Sequence, residues 1–272
     1  MTEPANTASW ADEPAVLADG DIALRGRVLP ASNLTFFGEV SIDASSVRCV
    51  YKPISGERPL WDFPDGTLAA REVAAYTVSE ALGWSVVPLT ILREGPYGLG
   101  MVQVWCEPDP TQDPIDIVAN GQVPAGYLHV LDAVDADDVP VSLVHEDTSA
   151  LRRMAVFDAV VNNADRKGGH VLAMPDGHRY GVDHGVSFHV ENKLRTVLWG
   201  WAGAPLHPED VSRLESLTEA LHTTRSPLYE SLTRLLGVNE IEALRGRCAR
   251  LLLDRRMPLP SRRWPAIPWP AF

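Results

Sequence analysis

The sequence contains little cysteine, no long apolar run and no secretory signal. Its three cysteines, Cys49, Cys106 and Cys248, are far apart and form no C-x-x-C or Cys/His pattern. This spacing supports neither a disulfide framework nor a structural zinc site, so a reduced cytoplasm is the expected location. No apolar run approaches the roughly 20 residues that span a bilayer. The first residues, Met1 to Gly20, lack the basic segment and apolar stretch of a signal peptide.

Basic residues are also scarce. Among 272 residues, 36 acidic and 24 basic side chains give a formal net charge of −12. Such an excess of negative charge argues against nucleic-acid binding and against docking to an anionic membrane through a basic face. We therefore expect no nucleic-acid partner and no stable membrane association. The hydrophobic content of 45% is ordinary for a globular protein.

The first part of the chain is predicted to be a β-rich lobe, residues 21–106. Residues 1–20 are small and polar and are predicted to form a disordered tail. A helical pattern from Thr67 to Leu82 ends at Gly83. Five strands are predicted, three before this helix and two after it: Ile22–Leu29, Thr35–Ile42, Val47–Lys52, Val86–Leu92 and Gly98–Cys106. The order βββαββ is that of the N-lobe of a kinase.

The second part is predicted to be a mainly helical lobe, residues 107–256. Glu107–Pro110 would be the linker, because prolines there cannot continue a strand. The acidic stretch Asp132–Asp138 is predicted to be a helix end and surface loop. Four helices are predicted: Ser149–Asn162, Pro208–Leu221, Ser226–Leu236 and Val238–Leu253. Residues 257–272, rich in proline and tryptophan, would form a strap on the surface. The expected fold class is α+β.

The segment Asn163–His170, followed by Tyr180–Gly185, carries most information about function. It places Asp165 and Asp183 at the two ends of a predicted hairpin, whose tight turn is Pro175–His178. A hairpin of this size would bring both carboxylates to the same end of a sheet. Phosphoryl transfer needs one carboxylate to orient or deprotonate the acceptor hydroxyl and another to hold Mg²⁺ on the nucleotide.

The N-x-D-R-x-x-x-(N/H) loop, followed by D-x-G after a hairpin, resembles the phosphatidylinositol 3-/4-kinase-like superfamily of atypical kinases, which includes HipA-type kinases. The phrases Tyr51–Pro53, Pro59–Pro64 and Arg71–Tyr76 resemble a mainly actinobacterial family described as phosphatidylinositol-kinase-like. The resemblance extends from about Gly20 to Leu253. It implies a two-lobed atypical protein-kinase-like fold that uses ATP with Mg²⁺ or Mn²⁺.

The resemblance also implies roles for individual residues. Asp165 would be the catalytic carboxylate, and Lys167 would lie near the transferred phosphate. Lys52 would contact the α/β-phosphates of ATP, with Glu72 pairing to it, and Asp183 would bind the metal. The structural alternatives are a helix-end cap for Asp165, a hairpin-end turn for Asp183, and a surface lysine and glutamate for the pair. Arg166 would brace the loop.

His170 departs from the family pattern, which has asparagine or a carboxylate at this metal-binding position. Imidazole is a poor ligand for Mg²⁺, which prefers oxygen, and it suits Mn²⁺ better. His170 is therefore a candidate metal ligand, a candidate phosphate contact, or a residue outside the metal shell. This departure leaves open an inactive relative that only binds nucleotide.

Two further sets of residues are candidate nucleotide contacts. The loop Pro30–Gly38 occupies the place of the phosphate-covering loop but is not glycine-rich, so a backbone nest is not expected there. Ser32 and Asn33 would offer donors to phosphate oxygens, or form a plain hairpin turn. Adenine recognition needs backbone N–H and C=O groups where the predicted strand Gly98–Cys106 ends, although a buried core strand is the alternative. The candidates there are Gln103, Val104 and Trp105.

The sequence therefore predicts an ATP-dependent phosphotransferase that acts on a soluble small-molecule alcohol or a protein Ser/Thr. The alternatives are nucleotidyl (AMP) transfer on the same scaffold and a nucleotide-binding pseudokinase. In the segment after Asp183, His189, Lys193 and Arg195 add local positive charge. This charge fits an anionic acceptor such as a sugar phosphate, or an ordinary solvated face.

Overall fold

A computed structural model of the chain describes residues 13–29, 31–261 and 263–272. This part of the chain contains six α-helices and ten strands, and the strands form three antiparallel sheets. Its class is therefore mixed α and β. No helix within these ranges is both long enough and apolar enough to cross a membrane. The expectations for residues 1–12 and for Pro30 lie outside the described residues.

The largest sheet has five strands in the order β1-β2-β3-β5-β4. Buried and partly exposed residues alternate along β3, where Val47, Cys49 and Tyr51 are fully buried. Because successive residues of a strand face opposite sides, Lys52 lies on the other face of the sheet from Tyr51. The strands are β1 Asp21–Arg27, β2 Phe36–Ile42, β3 Ser45–Pro53, β4 Thr90–Gly95 and β5 Gly98–Val104.

A short helix, α1 (Glu13–Asp19), covers the apolar face of this sheet. Val16 and Leu17 are buried against Val40, Val47 and neighbouring side chains. The predicted disordered tail is therefore wrong for residues 13–19. Seven residues are too few to show helical periodicity in the sequence, and the apolar surface that holds this helix belongs to distant strands.

Helix α2 (Leu68–Leu82) packs between the five-stranded sheet and two later helices. It ends at Gly83, whose φ of 66° is left-handed, as the sequence predicted. This position between two packing partners buries both faces of the helix. Even Arg71 and Glu72 on it are only 2% exposed.

A three-stranded sheet of β6 (Ile115–Ala119), β7 (Tyr127–Val134) and β8 (Pro140–Glu146) was not predicted. Asp132 lies in β7, and Asp135 accepts main-chain hydrogen bonds from Asp137 and Val139 in the turn to β8. The predicted helix end at Asp132–Asp138 is therefore wrong, and this half of the chain is not only helical. The strand β7 is largely exposed, so its apolar alternation is weak.

The remaining helices surround one apolar core that α2 shares. They coincide with the four predicted helices to within about one residue at each end. A hairpin of β9 (Val171–Ala173) and β10 (Arg179–Gly181) follows the first of them. Residues 257–261 and 263–272 run back over this half, where the Ala266 carbonyl accepts hydrogen bonds from Thr196 and Trp199. The helices are α3 Ser149–Val161, α4 Pro208–His222, α5 Pro227–Leu235 and α6 Val238–Asp254.

Candidate active site

Three elements that are distant in sequence meet at Lys52. Its Nζ donates to Glu72 Oε1 at 2.7 Å and to Asp183 Oδ1 at 2.9 Å. Lys52 is at the end of β3, Glu72 is on α2, and Asp183 follows β10. The sheet, the helix and the hairpin are therefore joined through one ammonium group, and the predicted contact between Lys52 and Glu72 is present.

The electrostatics of this trio are set by burial and by mutual attraction. Burial opposes the charge on Lys52, but Asp183 and Glu72 outweigh it and raise the pKa of Lys52. The charge of Lys52 holds the pKa of Asp183 well below its usual range. Burial raises the pKa of Glu72 despite the neighbouring Lys52. The other oxygen of Glu72 accepts the main-chain N–H of His184 at 2.7 Å, which fixes the segment that carries Asp183.

The hairpin brings Asp183 next to His170. Antiparallel pairing of Gly181 with Val171 sets the register, and the Val182 N–H donates to the His170 carbonyl at 3.0 Å. His170 Nε2 then lies 3.5 Å from Asp183 Oδ2. Asp183 has a φ of 62°, a left-handed conformation that aspartate adopts more readily than most residues. The predicted approach of the two loops is therefore confirmed.

His170 presents an unprotonated nitrogen to Asp183. Its Nδ1 lies 3.0 Å from the main-chain oxygen of Asp165, so Nδ1 is the donor and carries the hydrogen. Burial lowers the pKa of His170 to about 4, which keeps the ring neutral at physiological pH. Nε2 and the Asp183 carboxylate are then two acceptors facing each other with no proton between them. A cation placed there would satisfy both.

Asp165 lies at the start of the same loop. Its N–H donates to Asn163 Oδ1 at 2.9 Å, and Asn163 Nδ2 in turn donates to Asp158 at 3.1 Å. Burial raises the pKa of Asp165, and Lys167 opposes this rise from 3.5 Å. Asp165 is thus a partly buried carboxylate whose pKa is shifted in opposite directions by burial and by the neighbouring cation.

Next to these charged residues, which we call the cleft, lies a buried network that the sequence only partly indicated. Arg166 is 0% exposed, and its guanidinium donates to Asp158, to the carbonyls of His170 and Val182, and to His184 Nε2. The prediction that Arg166 braces the loop is confirmed. The roles of Asp158 and His184 were missed, although an acid on the apolar side of a helix was a usable signal for Asp158.

The candidate phosphate-loop residues make their recorded hydrogen bonds within their own part of the described chain and none to the cleft residues. Ser32 is exposed, and Asn33 accepts a hydrogen bond from the Arg58 N–H at 2.9 Å through its side-chain oxygen. Asn33 therefore anchors the loop after β3, and its carbonyl accepts from Thr35 within its own turn. The predicted use of Ser32 and Asn33 as phosphate donors has no support in these contacts.

The candidate adenine contacts are also occupied. Gln103 donates its side-chain amide to Thr90 at 2.8 Å inside the sheet. The main-chain N–H groups of Val104 and Trp105 donate to the carbonyls of Leu89 and Arg48, at 2.9 Å each. These two N–H groups are therefore used within the sheet, and the use of these residues as adenine contacts stays a prediction that rests on their carbonyl groups. The next two main-chain N–H groups along the described chain, those of Cys106 and Glu107, have no recorded partner.

The structure therefore assembles six of the predicted residues into one charged cleft in a mixed α and β fold: Lys52, Glu72, Asp165, Lys167, His170 and Asp183. No family model matches the chain. Protein Rv2133c of Mycobacterium tuberculosis is 52% identical over 270 residues, which cover 96% of each chain. The chain belongs to the same family as this mycobacterial protein.

One solved structure has a partial likeness to the chain. It is the crystal structure of a Helicobacter pylori proinflammatory kinase, CtkA, with a TM-score of 0.41 and 12% sequence identity. The match covers 86% of this chain and 97% of that chain. A likeness of this size does not establish a shared activity.

Proposed function

We propose that the protein is an ATP-dependent phosphotransferase with a two-lobed atypical protein-kinase-like fold. The observation that carries the proposal is Lys52, held between a buried carboxylate on a helix and a half-exposed carboxylate after a hairpin. A phosphate-binding lysine needs this placement, because one partner fixes the ammonium group and the other lies where the metal–phosphate complex would be. The five-stranded sheet with α2 would form the nucleotide-binding lobe.

Asp183 and His170 are the residues that would hold a metal ion. The described residues contain no group of three or more His, Cys, Asp or Glu side chains suited to a metal. A two-residue donor set fits an ion that is bound partly by substrate phosphates, as Mg²⁺ often is. The facing acceptors on Asp183 and His170 fit such an ion, and the imidazole favours Mn²⁺. The ion would neutralise charge on the β- and γ-phosphates.

The transfer step would use Asp165 and Lys167. Asp165 accepts the proton of the acceptor hydroxyl as the oxygen forms a bond to the γ-phosphorus and the bond to the ADP oxygen breaks. The raised pKa of Asp165 suits a base that must hold a proton for a short time. Lys167 lies beside the same carboxylate and stabilises charge on the transferred group. The acceptor would be a soluble alcohol or a protein Ser/Thr.

Metal-linked nucleotide binding is the first test. ATP with Mn²⁺ or Mg²⁺ should raise the melting temperature of the wild type, because a ligand that binds only the folded state stabilises it. Asp183→Asn should lose the metal-dependent part of the rise. Asp137→Asn removes the same charge from an exposed turn and should keep it. If millimolar ATP produced no rise with either metal, the proposal would fail at its first step.

Turnover is the second test. Asp165→Asn should keep most of the ATP-induced rise in melting temperature and lose about 10²-fold or more in phosphate transfer, because Asp165 acts on the acceptor during the reaction. Transfer to a generic alcohol or to the protein itself, followed with labelled ATP, is the readout. The mass of the product distinguishes a phosphate from an AMP adduct. Binding without any transfer in the wild type would instead identify a nucleotide-binding pseudokinase.

A further inference from the structure

A cavity of about 330 Å³ lies between α3, α6 and the C-terminal segment. None of the six cleft residues lines it. Its size is within the range of small-molecule sites. One side of the cavity is apolar and is formed by Ala159, Val190, Leu194, Trp199, Leu251 and Leu259. The cavity could therefore hold the apolar part of a small ligand.

The polar side of the cavity carries three arginines, Arg247, Arg250 and Arg256, and one acid, Asp254. No carboxylate in the described ranges lies within salt-bridge distance of any of the three guanidinium groups. This cluster is unusual in a protein with a net charge of −12. Three guanidinium groups and one carboxylate give the cavity lining a net positive charge, and an anion bound there would offset it.

Arg247 shows this lack of a carboxylate partner most clearly. Its guanidinium donates to the carbonyls of Val160 at 2.8 Å and His189 at 3.3 Å, both neutral acceptors. Its Nη2 is buried and has no hydrogen-bond partner among the described residues. Burial lowers the pKa of Arg247 to about 10, and the nearby Cys248 and Glu240 oppose this shift. Because Nη2 has almost no accessible surface, the donors that an oxyanion in the cavity can reach are those of Arg250 and Arg256, which are exposed.

We propose that this cavity binds a small molecule that carries an oxyanion, either a phosphate ester or a carboxylate, on a compact apolar body. Arg250 and Arg256 lie at the charged side with Arg247, and guanidinium forks match both oxyanions in bidentate geometry. The apolar side, including Trp199 and Leu251, would cover the body of the ligand. The site is separate from the cleft and does not depend on the proposed phosphotransferase activity.

The test uses phenyl phosphate and benzoate as probes, with benzyl alcohol as the neutral control. At about ten times its dissociation constant, a bound probe should raise the melting temperature of the full chain by about 2–4 °C. Arg250→Glu should abolish the rise, because Arg250 is exposed and its replacement reverses one of the three charges. Arg234→Glu is the matched control, since Arg234 is exposed on α5 and does not line the cavity. Each rise is measured against the same variant without probe.

The results separate the cavity from the cleft. A rise in the wild type, in Arg234→Glu and in Lys52→Met, but not in Arg250→Glu, supports the proposal. A rise that Lys52→Met loses and Arg250→Glu keeps would assign the probe to the cleft and overturn the proposal. The absence of a rise with both anionic probes, or an equal rise with benzyl alcohol, would also overturn it. The probe with the larger rise identifies phosphate or carboxylate as the preferred group.

Discussion

Two clusters of charged side chains adjoin the loop at residues 163–170. They differ in how completely their charges are buried and hydrogen-bonded. In the buried network, the side chains of Asp158 and Arg166 are 0% exposed. Asp158 also accepts hydrogen bonds from Asn163 and Thr196. In the cleft, the Asp183 side chain is 49% exposed, and one of its oxygens faces His170 at 3.5 Å without a proton between them.

The difference separates a structural role from a binding role. A charge that is buried and fully hydrogen-bonded has no capacity left for a ligand, and its removal leaves its partner buried and unpaired. A charge that is half exposed and only partly paired keeps capacity for a ligand and contributes little to folding. The buried network therefore shapes the loop, while Asp183 keeps accessible surface that a ligand of the proposed function would need.

The largest expected effect is the loss of the carboxylate at the centre of the buried network. Asp158→Ala leaves the Arg166 guanidinium buried without its anion and should lower the free energy of unfolding by about 3–5 kcal/mol. Urea unfolding followed by circular dichroism measures the change. Asp137→Ala, in an exposed turn, is the control and should change it little. If Asp158→Ala lowered the free energy of unfolding by less than about 1 kcal/mol, the network would not be a fully buried and hydrogen-bonded cluster.

A smaller loss is expected from crowding the same network. A Cβ on Gly181 would lie 2.8 Å from Arg166 Nη2 and 3.0 Å from Nη1, and that guanidinium is held on all sides and cannot move away. Gly181→Ala should therefore cost about 1–3 kcal/mol in the same urea experiment. Gly26→Ala is the matched control, because a Cβ there meets nothing within 4 Å. Equal stabilities of the two variants would contradict a rigid Arg166.

The corresponding change in the cleft should have little effect on stability. Asp183→Asn removes one half-exposed partner of Lys52, which keeps Glu72, so the free energy of unfolding should change by only about 0–1 kcal/mol. The measurement is again urea unfolding, beside Asp158→Ala. A loss as large as that of Asp158→Ala would place Asp183 in the structural cluster and remove the distinction between the two regions.

The smallest expected effect is a change in how the free energy of unfolding depends on pH, and it concerns a buried histidine outside both clusters. His145 is 0% exposed; its Nδ1 donates to the Glu146 carbonyl, and its Nε2 accepts the Gly200 N–H. Burial lowers the pKa of His145 in the folded protein, so the unfolded chain takes up the proton first. Its contribution to stability is therefore present above the unfolded pKa of about 6.5 and declines as the pH falls below it.

His145→Gln should flatten this decline. Unfolding free energies at several pH values between neutral and mildly acidic conditions measure it, for the wild type and for the variant. His207→Gln is the control, because His207 is exposed. Parallel curves for the wild type and His145→Gln would show that another group causes the acid sensitivity.

Several parts of the cleft could be predicted from local sequence. The alternation along β3 places Lys52 at a strand end, and the helical pattern with Gly83 as its stop places Glu72 on α2. The turn between β9 and β10 brings Asp183 back to the loop that carries Asp165. These placements along strand, helix and hairpin were predictable because each depends on backbone preferences that act over a few residues, whereas the pairing of Lys52 with Glu72 was expected only from the family resemblance.

Other parts of the prediction failed where pairing between distant segments decides the outcome. The N–H groups of Val104 and Trp105 looked available, but Leu89 and Arg48 occupy them through the register of the sheet. Helix α1 looked like a tail because its stabilising surface is on other strands. The three-stranded sheet was missed because its exposed strands show little apolar alternation.

The sequence by itself determined most strands and helices around the cleft and which residue types meet there. Only the tertiary structure decided which charged side chains are buried and fully hydrogen-bonded and which are left partly exposed. Asp158 and Asp183 are the same residue type, and nothing in their immediate sequence fixes their burial. Burial and hydrogen-bond partners come from residues far along the chain, such as Arg166 with His184 or Lys52 with Glu72. The free energy of a charged side chain depends on the solvent exposure, charges and hydrogen-bond partners around it in space and not on its neighbours in sequence.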